Sequence, residues 1–252
     1  MELTKYRLAD IHAHVVPCVD DGPASMDIAL QMIQCSYLQG VRDIFCTSHS
    51  WGDHEAYKQN LITLQQRIAT VGLDIRLHSG CEIDASFEDI QGVVRAVHSG
   101  RYPTLGNSDY VLMEFDRYTE EEELLSTIRQ YIEHYNDHIV LAHIERLYCL
   151  YENETLLDLL QSLGCLFQLN AYSLVEEVKE STRKFARKMI DQQRITFIGS
   201  DAHRINHRPP NVSSGVEYIY QQCSTEYADA ICHKNAEDLL ISCHQKKWST
   251  RG

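Results

Sequence analysis

The sequence predicts an α/β protein, a seven-stranded and imperfect parallel barrel in a single domain. Three observations carry that expectation. Short apolar runs alternate with helical segments about seven times, the pattern of a parallel α/β architecture. A polar residue stands at or just past the C-terminal end of each run: His12, His49, Glu82, Glu114, His143, Asn170 and Asp201. An open doubly wound sheet fits the alternation but would spread these residues along an edge. Closure into a barrel brings all seven to one rim, where enzymes of this architecture build their sites. No linker or low-complexity segment interrupts the 252 residues, so residues 1–252 are expected to form one domain.

The elements follow in order. Leu8, Ala9 and Ile11 open the first strand, which runs into His12 and His14 and then Asp20, Asp21 and Gly22. Residues i and i+2 of an extended chain face the same side, so the two imidazoles can aim at one point. Met26, Ile28, Ala29, Met32, Ile33 and Tyr37 recur at close to helical spacing, and Gly40 ends that helix. Residues 41–47 read as a buried strand leading to Ser48 and His49, and residues 53–70 as a polar helix closed by Gly72. A third strand over 75–79 ends at Gly80, Cys81 and Glu82, followed by a helix over 87–98. Strand four, 110–113, ends on Glu114. The helix over 120–135 packs glutamates into its first turn, where the helix dipole favours them. Strand five, 138–142, ends on His143; a helix over 155–163 is stopped by Gly164; strand six, 166–169, ends on Asn170. A basic helix over 180–191 precedes strand seven, 195–199, which runs out at Asp201 and His203, and residues 214–243 read as helical.

Composition excludes several classes. Hydrophobic content of 44% and charged content of 23% are ordinary for a globular chain with an ample core. No apolar run is long enough to span a bilayer, and the first seven residues lack a secretory apolar segment. Nine cysteines, an odd number without a Cys-x-x-Cys pair, suit reduced thiols in the cytoplasm and not a disulfide framework or zinc ribbon. A formal charge of -13 argues against broad nucleic-acid binding.

The chemistry sits at the strand ends. His12, His14, Asp21, His49, Glu82, Glu114, His143, Asp201 and His203 are candidate metal ligands. Five imidazoles and four carboxylates exceed the needs of one tetrahedral ion and suit two or three sites sharing a bridging carboxylate. The absence of thiolate favours Mn, Fe or Zn in a catalytic role, and neighbouring ions of this kind serve phosphate hydrolysis. Arg146 and Arg208, close past two ligand positions, suit bidentate capture of phosphate oxygens. The bland alternative for Arg146 is a surface ion pair with Glu145. Arg183, Lys184, Arg187 and Lys188 read as a solvated helix face before a docking patch. No Arg follows any Cys at the spacing of a thiol phosphatase loop, and no Gly-rich nucleotide fingerprint is present.

Taken jointly, these motifs are recognisable: Asp-Ile-His-Ala-His at 10–14, Asp-Asp-Gly at 20–22, Thr-Ser-His at 47–49 and Gly-Cys-Glu at 80–82. Glu-Phe at 114–115, Ala-His-Ile-Glu-Arg at 142–146, Ser-Asp-Ala-His at 200–203 and Arg-Pro-Pro at 208–210 complete the set. The chain resembles the polymerase-and-histidinol-phosphatase (PHP) superfamily over roughly residues 8–240. Within it, it is similar to the bacterial manganese-dependent tyrosine-protein phosphatases of capsular and exopolysaccharide operons. Asp-Asp-Gly with His-Ile-Glu-Arg and Arg-Pro-Pro selects that subgroup. The resemblance implies a distorted TIM-like (β/α)7 barrel, a single PHP domain, with a trinuclear centre of Mn2+, or of Fe or Zn. One ion would take His12, His14, Glu82 and Asp201; a second would share Glu82 and add Glu114 and His143; a third would take Asp21, His49 and His203. Arg146 and Arg208 match the phosphate-contacting arginines, and the implied substrate is the phosphotyrosine-rich tail of a bacterial tyrosine autokinase governing polysaccharide export. Asn211 stands where a His is often seen, His207 where a Gly is frequent, and the loop 116–123 is unusually acidic; these departures bear on substrate preference. Two other functions compete. One is a small-molecule phosphomonoesterase of the histidinol-phosphatase type. The other is a non-catalytic PHP-like regulatory module, whose expected mark, loss of ligands, is missing here. Neither nucleic-acid binding nor membrane insertion is expected, and homo-oligomerisation is left open.

Overall fold

The computed structural model describes residues 7–85, 89–134, 138–175 and 178–241. Its strands are β1 (Leu8–Ala13), β2 (Val41–His49), β3 (Arg76–Asp84), β4 (Tyr110–Glu114), β5 (His138–Leu141), β6 (Leu166–Asn170) and β7 (Phe197–Gly199). They pair side by side in chain order, every pair parallel. Parallel neighbours need a crossover connection. The first six are supplied by α1 (Met26–Leu38), α2 (His54–Thr70), α3 (Ile90–His98), α4 (Glu121–His134), α5 (Glu154–Ser162) and α6 (Glu180–Asp191). Helices α7 (Ser213–Gln222) and α8 (Thr225–Asp229) follow β7.

The sheet closes just past its last strand. Ala13 bridges Ala202 in parallel sense; His14 N donates to Ala202 O at 2.8 Å and Asp201 N to His12 O at 2.7 Å. Asp10, itself buried, accepts from Ser200 N at 2.8 Å and from His12 N at 3.3 Å through one oxygen. Closure therefore runs through the segment that carries Asp201 and His203, and the expected distorted seven-stranded barrel is the fold observed.

Two apolar layers support it. The larger lies between the sheet and the helices. The smaller fills the barrel interior with Ala9, Ile11, Phe45, Leu112, Val140 and Phe197, and Leu105 and Leu239 plug its lower end. Ala9 and Ile11 belong to the interior layer, whereas Ala13 belongs to the outer one. The pairing register shifts between Asp10 and Ala13. A one-residue irregularity exchanges the two faces of a strand, which is how His12 comes to the interior.

Most expected elements hold within a residue or two, and the differences have causes. Strand β3 runs on to Asp84, because Gly80 is a point of close approach and not a stop. A Cβ there would stand 2.9 Å from Thr47 Cγ2, and Gly80 N donates to Tyr57 OH at 3.0 Å. Strand β7 begins at Phe197 because Ile195 exchanges both backbone hydrogen bonds with the Tyr227 hydroxyl. The C-terminal helical stretch is broken at Cys223, and Ser224 caps a fresh start at Thr225. A π-helical turn over Ala230–Lys234 then leads into helix over 235–241. The expected helix start at Phe87, the helix end at Tyr135, the tail to Cys243 and the N-terminal residues 1–6 lie outside the described residues. The eight described cysteines are all free.

Closure through Asp10 makes a test. Asp10→Ala strands the buried Ser200 N–H and should cost about 1–3 kcal/mol of stability. Asp10→Asn, which keeps an acceptor oxygen, should cost less. Urea unfolding of the two variants beside the parent measures both.

Candidate metal centre

Each element delivers its side chain to one mouth of the barrel. The parallel register sets His49 directly beside Glu82 and places Asp84, two residues on, beside Glu114. His12 and His14 arrive from the end of β1, His143 from just past β5, and Asp201 and His203 from just past β7. Asp21 comes from the loop before α1. The structure thus brings together all nine residues singled out from the sequence.

Glu82, 1% exposed, is the centre. Its Oε1 lies 3.1 Å from His12 Nε2 and 2.9 Å from His143 Nε2. Its Oε2 lies 3.0 Å from His14 Nε2 and 3.2 Å from His49 Nδ1. Three groups of donor atoms form around it, each within 4.8 Å of one another: His12, His14, Glu82 and Asp201; His49, Glu82 and Glu114; and His14, Asp21, His49 and His203. The first matches the set implied by the resemblance. The second has His49 beside the two carboxylates, with His143 Nε2 3.6 Å from Glu114 Oε2. The third adds His14 to the three residues expected.

The donor set fits divalent cations. His12 Nε2 and His14 Nε2 face each other at 3.4 Å, lone pair toward lone pair unless a proton or a cation lies between them. Asp21 Oδ1, His49 Nδ1, Glu82 Oε2 and His203 Nε2 are buried and make no well-formed hydrogen bond among the described residues, only close contacts with one another. Buried polar atoms without partners are costly and rare, and here they converge. Imidazole and carboxylate donors without thiolate are the ligand class of catalytic Mn, Fe or Zn.

The electrostatics have the same origin. Burial disfavours charge on His14, but Asp20 and Glu82 outweigh it and raise its pKa to about 10. Burial and Arg146 act against His143 charge as well, and Glu114 and Glu82 raise it to about 9. His203 goes the other way, down to about 2, through burial and the neighbouring positive charge of His14 and Arg208. Burial opposes ionisation of Glu82, yet the surrounding histidines hold it well below the ordinary carboxylate range.

Several residues that position the donors were not legible beforehand. Asp20 Oδ2 lies 2.8 Å from His14 Nδ1 and accepts from His49 N at 3.0 Å, tying two ligand positions together. Gln168 Oε1 lies 3.1 Å from His12 Nδ1 and accepts from His143 N at 2.7 Å. Fixing the far nitrogen of a ligand imidazole sets its tautomer and direction. The available signal was a lone Gln between Phe167 and Leu169, two residues before Asn170 in an otherwise apolar strand; its full burial is visible only in the structure. Gln39, just past α1, holds the Arg208 loop by donating to Pro210 O at 2.5 Å and accepting from Val212 N and Ser213 N at 3.0 Å.

Both arginines stand at the edge of the cluster. Arg146 Nη2 donates to Asp201 Oδ2 at 2.6 Å and to Tyr172 OH at 2.5 Å. Arg208 reaches Asp201 Oδ2 at 3.3 Å and Asp21 Oδ2 at 3.4 Å. Glu145 is not the surface partner of Arg146. It is fully buried and accepts from Ser173 Oγ at 2.9 Å. The basic helix is a solvated face, as expected: Lys184 pairs with Glu180, Lys188 with Glu154, and Arg187 donates to Leu174 O. A cavity of about 350 Å³ lies at the opposite mouth against Asp109, His138 and Leu239, and no candidate ligand lines it.

Comparison with known proteins supplies a family and a shared fold. The family described as capsular polysaccharide synthesis, CpsB/CapC, matches residues 8–241. A tyrosine-protein phosphatase CpsB of Streptococcus pneumoniae is 27% identical over 244 residues, 93% of this chain and 98% of that protein. A CapC protein of Staphylococcus aureus is 32% identical over 212 residues, 80% of this chain and 79% of its own. Among solved structures, one of YwqE from Bacillus subtilis and CpsB from Streptococcus pneumoniae, described as unique metal-dependent tyrosine phosphatases, superposes with a TM-score of 0.78. It is 23% identical and covers 93% of this chain and 95% of that one, so the fold is shared.

Asp20 offers the sharpest test of the positioning network. Asp20→Asn keeps an acceptor for the backbone but removes the charge behind His14. Divalent-metal affinity should fall by about ten- to a hundredfold, read by calorimetric titration with Mn2+, while the far-ultraviolet circular dichroism stays that of the parent.

Proposed function

The chain belongs to the CpsB/CapC family of capsular polysaccharide synthesis, and from that premise we propose that it is a metal-dependent protein-tyrosine phosphatase. One observation carries the reading: nine imidazole and carboxylate donors, Glu82 at their centre, gather at one mouth of the barrel with two guanidinium groups at their edge. The cluster has the ligands for more than one ion and the cations for a phosphate group. Residues 1–252 are proposed to be one PHP-type metallophosphatase domain, with this cluster as its site.

His12, His14, Glu82 and Asp201 would hold one ion. Glu82, Glu114 and His143 would hold a second, and Asp21, His49 and His203 a third, with Mn2+ the resident metal. Bound there, divalent ions supply neutralisation of phosphoryl charge and a nucleophile at neutral pH. The chain's own residues do the rest. Arg146 and Arg208 share the Asp201 carboxylate and so present their planar forks from one side; each can face a phosphate with paired N–H donors. Tyr172 and Asp201 fix the Arg146 fork before substrate arrives. The departing phenolate, from a tyrosine of pKa roughly 10, is a fair leaving group. The substrate is phosphotyrosine on a protein, for which the tail of a bacterial tyrosine autokinase in polysaccharide synthesis is the partner proposed. The unpaired cysteines support a cytoplasmic location. Among the described residues no helix is long and apolar enough to cross a membrane.

Hydrolysis of a phosphotyrosine peptide by the purified protein, lost on chelation and restored by Mn2+, tests the proposal directly. Turnover of histidinol phosphate far above that of the peptide would overturn it. Glu82→Ala should lower bound metal by more than one ion per chain and abolish turnover, because the carboxylate serves two groups of donors. Arg208→Ala should keep its metal yet lose about 1.5–3 kcal/mol of charge-assisted bonding, on the order of ten- to a hundredfold in kcat/KM. Arg208→Lys should recover only part of that, since an ammonium lacks the planar fork. Kinetics beside elemental analysis of the same preparations read both.

A further inference from the structure

Two cavities open side by side next to the donor cluster. The nearer, about 140 Å³, reaches Glu114 and His143 and is of mixed charge, with Arg117 and Arg146 beside Asp84 and Asp116. The second, about 190 Å³, shares those two arginines and extends outward to Tyr148, Tyr172, Lys179 and Thr182. Its charge is unusual for this protein. The chain as a whole is acidic, with 36 Asp and Glu against 23 Lys and Arg, yet among the described residues three cations and no carboxylate line this cavity. Arg146 is committed to Asp201. Among the described residues Arg117 and Lys179 make no ion pair, so their charge is available to a ligand.

The aromatic wall holds these cations in place. Lys179 Nζ donates to Tyr148 OH at 3.2 Å and lies 5.7 Å from the centre of that ring. Tyr148 is itself fixed edge-on between Tyr118 at 5.4 Å and Tyr151 at 5.5 Å. Tyr148 N donates to Arg117 O at 3.1 Å, and the charges of Lys179 first and Arg117 second hold the phenol pKa below the ordinary tyrosine value. Two cations from distant parts of the chain, one after β4 and one before α6, therefore meet at one tyrosine.

We propose that this second cavity is a specificity subsite of the phosphatase. It takes an anionic group of the substrate next to the phosphotyrosine, either a carboxylate side chain or a second phosphate. The inference rests on the phosphatase reading above and adds what flanks the reacting residue. A substrate whose phosphoryl group lies between Arg146 and Arg208 meets Arg117 on its way out past Arg146. The next anion along the peptide then reaches Lys179.

The experiment uses the Mn2+-loaded protein and four phosphotyrosine peptides, identical except that the neighbouring positions hold Ala, Glu, Lys or a non-hydrolysable phosphotyrosine mimic. The parent should prefer the Glu or the mimic peptide over the Ala peptide in kcat/KM by about threefold to tenfold, the range for two solvent-screened ion pairs. The arm that gains identifies the source of the anion. The preference should shrink in high salt. In Lys179→Glu, and in Lys179→Glu combined with Arg117→Gln, the ratio should fall to one or below, with the Lys peptide now ahead of the Glu peptide. A ratio between peptides does not move with general damage to the fold. Equal kcat/KM across peptides that are all turned over well would overturn the subsite and leave the phosphatase reading standing. So would a preference that survives the charge reversal. No turnover of any phosphotyrosine peptide would overturn the phosphatase reading first, and this one with it.

Discussion

Glu82 is a carboxylate 1% exposed to solvent, with four imidazole nitrogens within 2.9 to 3.2 Å of its two oxygens. A charge so deeply buried is tolerable only when it is closely compensated. The four compensating histidines come from β1, β2 and the end of β5, and so from opposite sides of the barrel. Only a closed sheet lets them converge, so the electrostatics of the site and the topology of the fold state the same constraint. Asp10 and Gln168 extend that constraint one step outward. The first ties β1 to the segment past β7, and the second ties His12 to the backbone of His143.

Three residues at this mouth, His143, Asp201 and Arg208, have left-handed backbones with φ of 30°, 52° and 51°. Such conformations cost free energy for side chains with a Cβ and persist only where the surroundings hold them. Here the holders are visible. His143 N donates to Gln168, Asp201 N donates to His12 O, and His203 N donates to Arg208 O at 2.9 Å. The strained positions are two candidate ligands, His143 and Asp201, and Arg208, the arginine proposed to face phosphate. The fold accepts this local cost to aim those groups, while the helices and interior layer below supply the stability.

The charge distribution divides the same mouth by task. Carboxylates concentrate where cations would bind, and Arg146 and Arg208 lean on Asp201 and Asp21 at the edge of that cluster. Farther out, Arg117 and Lys179 stand on Tyr148, and among the described residues no acid lines their cavity. A phosphorylated substrate thus meets positive charge before it meets the donor cluster. The net charge of the whole chain, which is negative, says nothing of this arrangement.

Residue type and order determined the architecture and the candidate ligands. Alternating strand and helix signals with a polar residue at each strand end led to a seven-stranded barrel, and His12, His14, His49, His143 and His203 with four carboxylates all reach its rim. Periodicity is a local property, readable along the chain, and strand ends are where parallel topology collects side chains. What the sequence could not decide depends on distance between remote segments. The part played by Gly80, a close approach to Thr47 within a strand and not its end, is set by a neighbouring strand. The pairing of Arg146 with Asp201 and not with the adjacent Glu145 follows from a short turn that sends Glu145 inward toward Ser173. Asp20 behind His14 and Gln168 behind His12 are ordinary polar residues until closure places them there. Likewise the meeting of Arg117 with Lys179 exists only because β4, β5 and α6 deliver three loops to one side of the mouth. Hydrogen bonds and charge pairs act over a few ångströms in space, and separation along the chain does not encode that distance; the tertiary structure alone decides it.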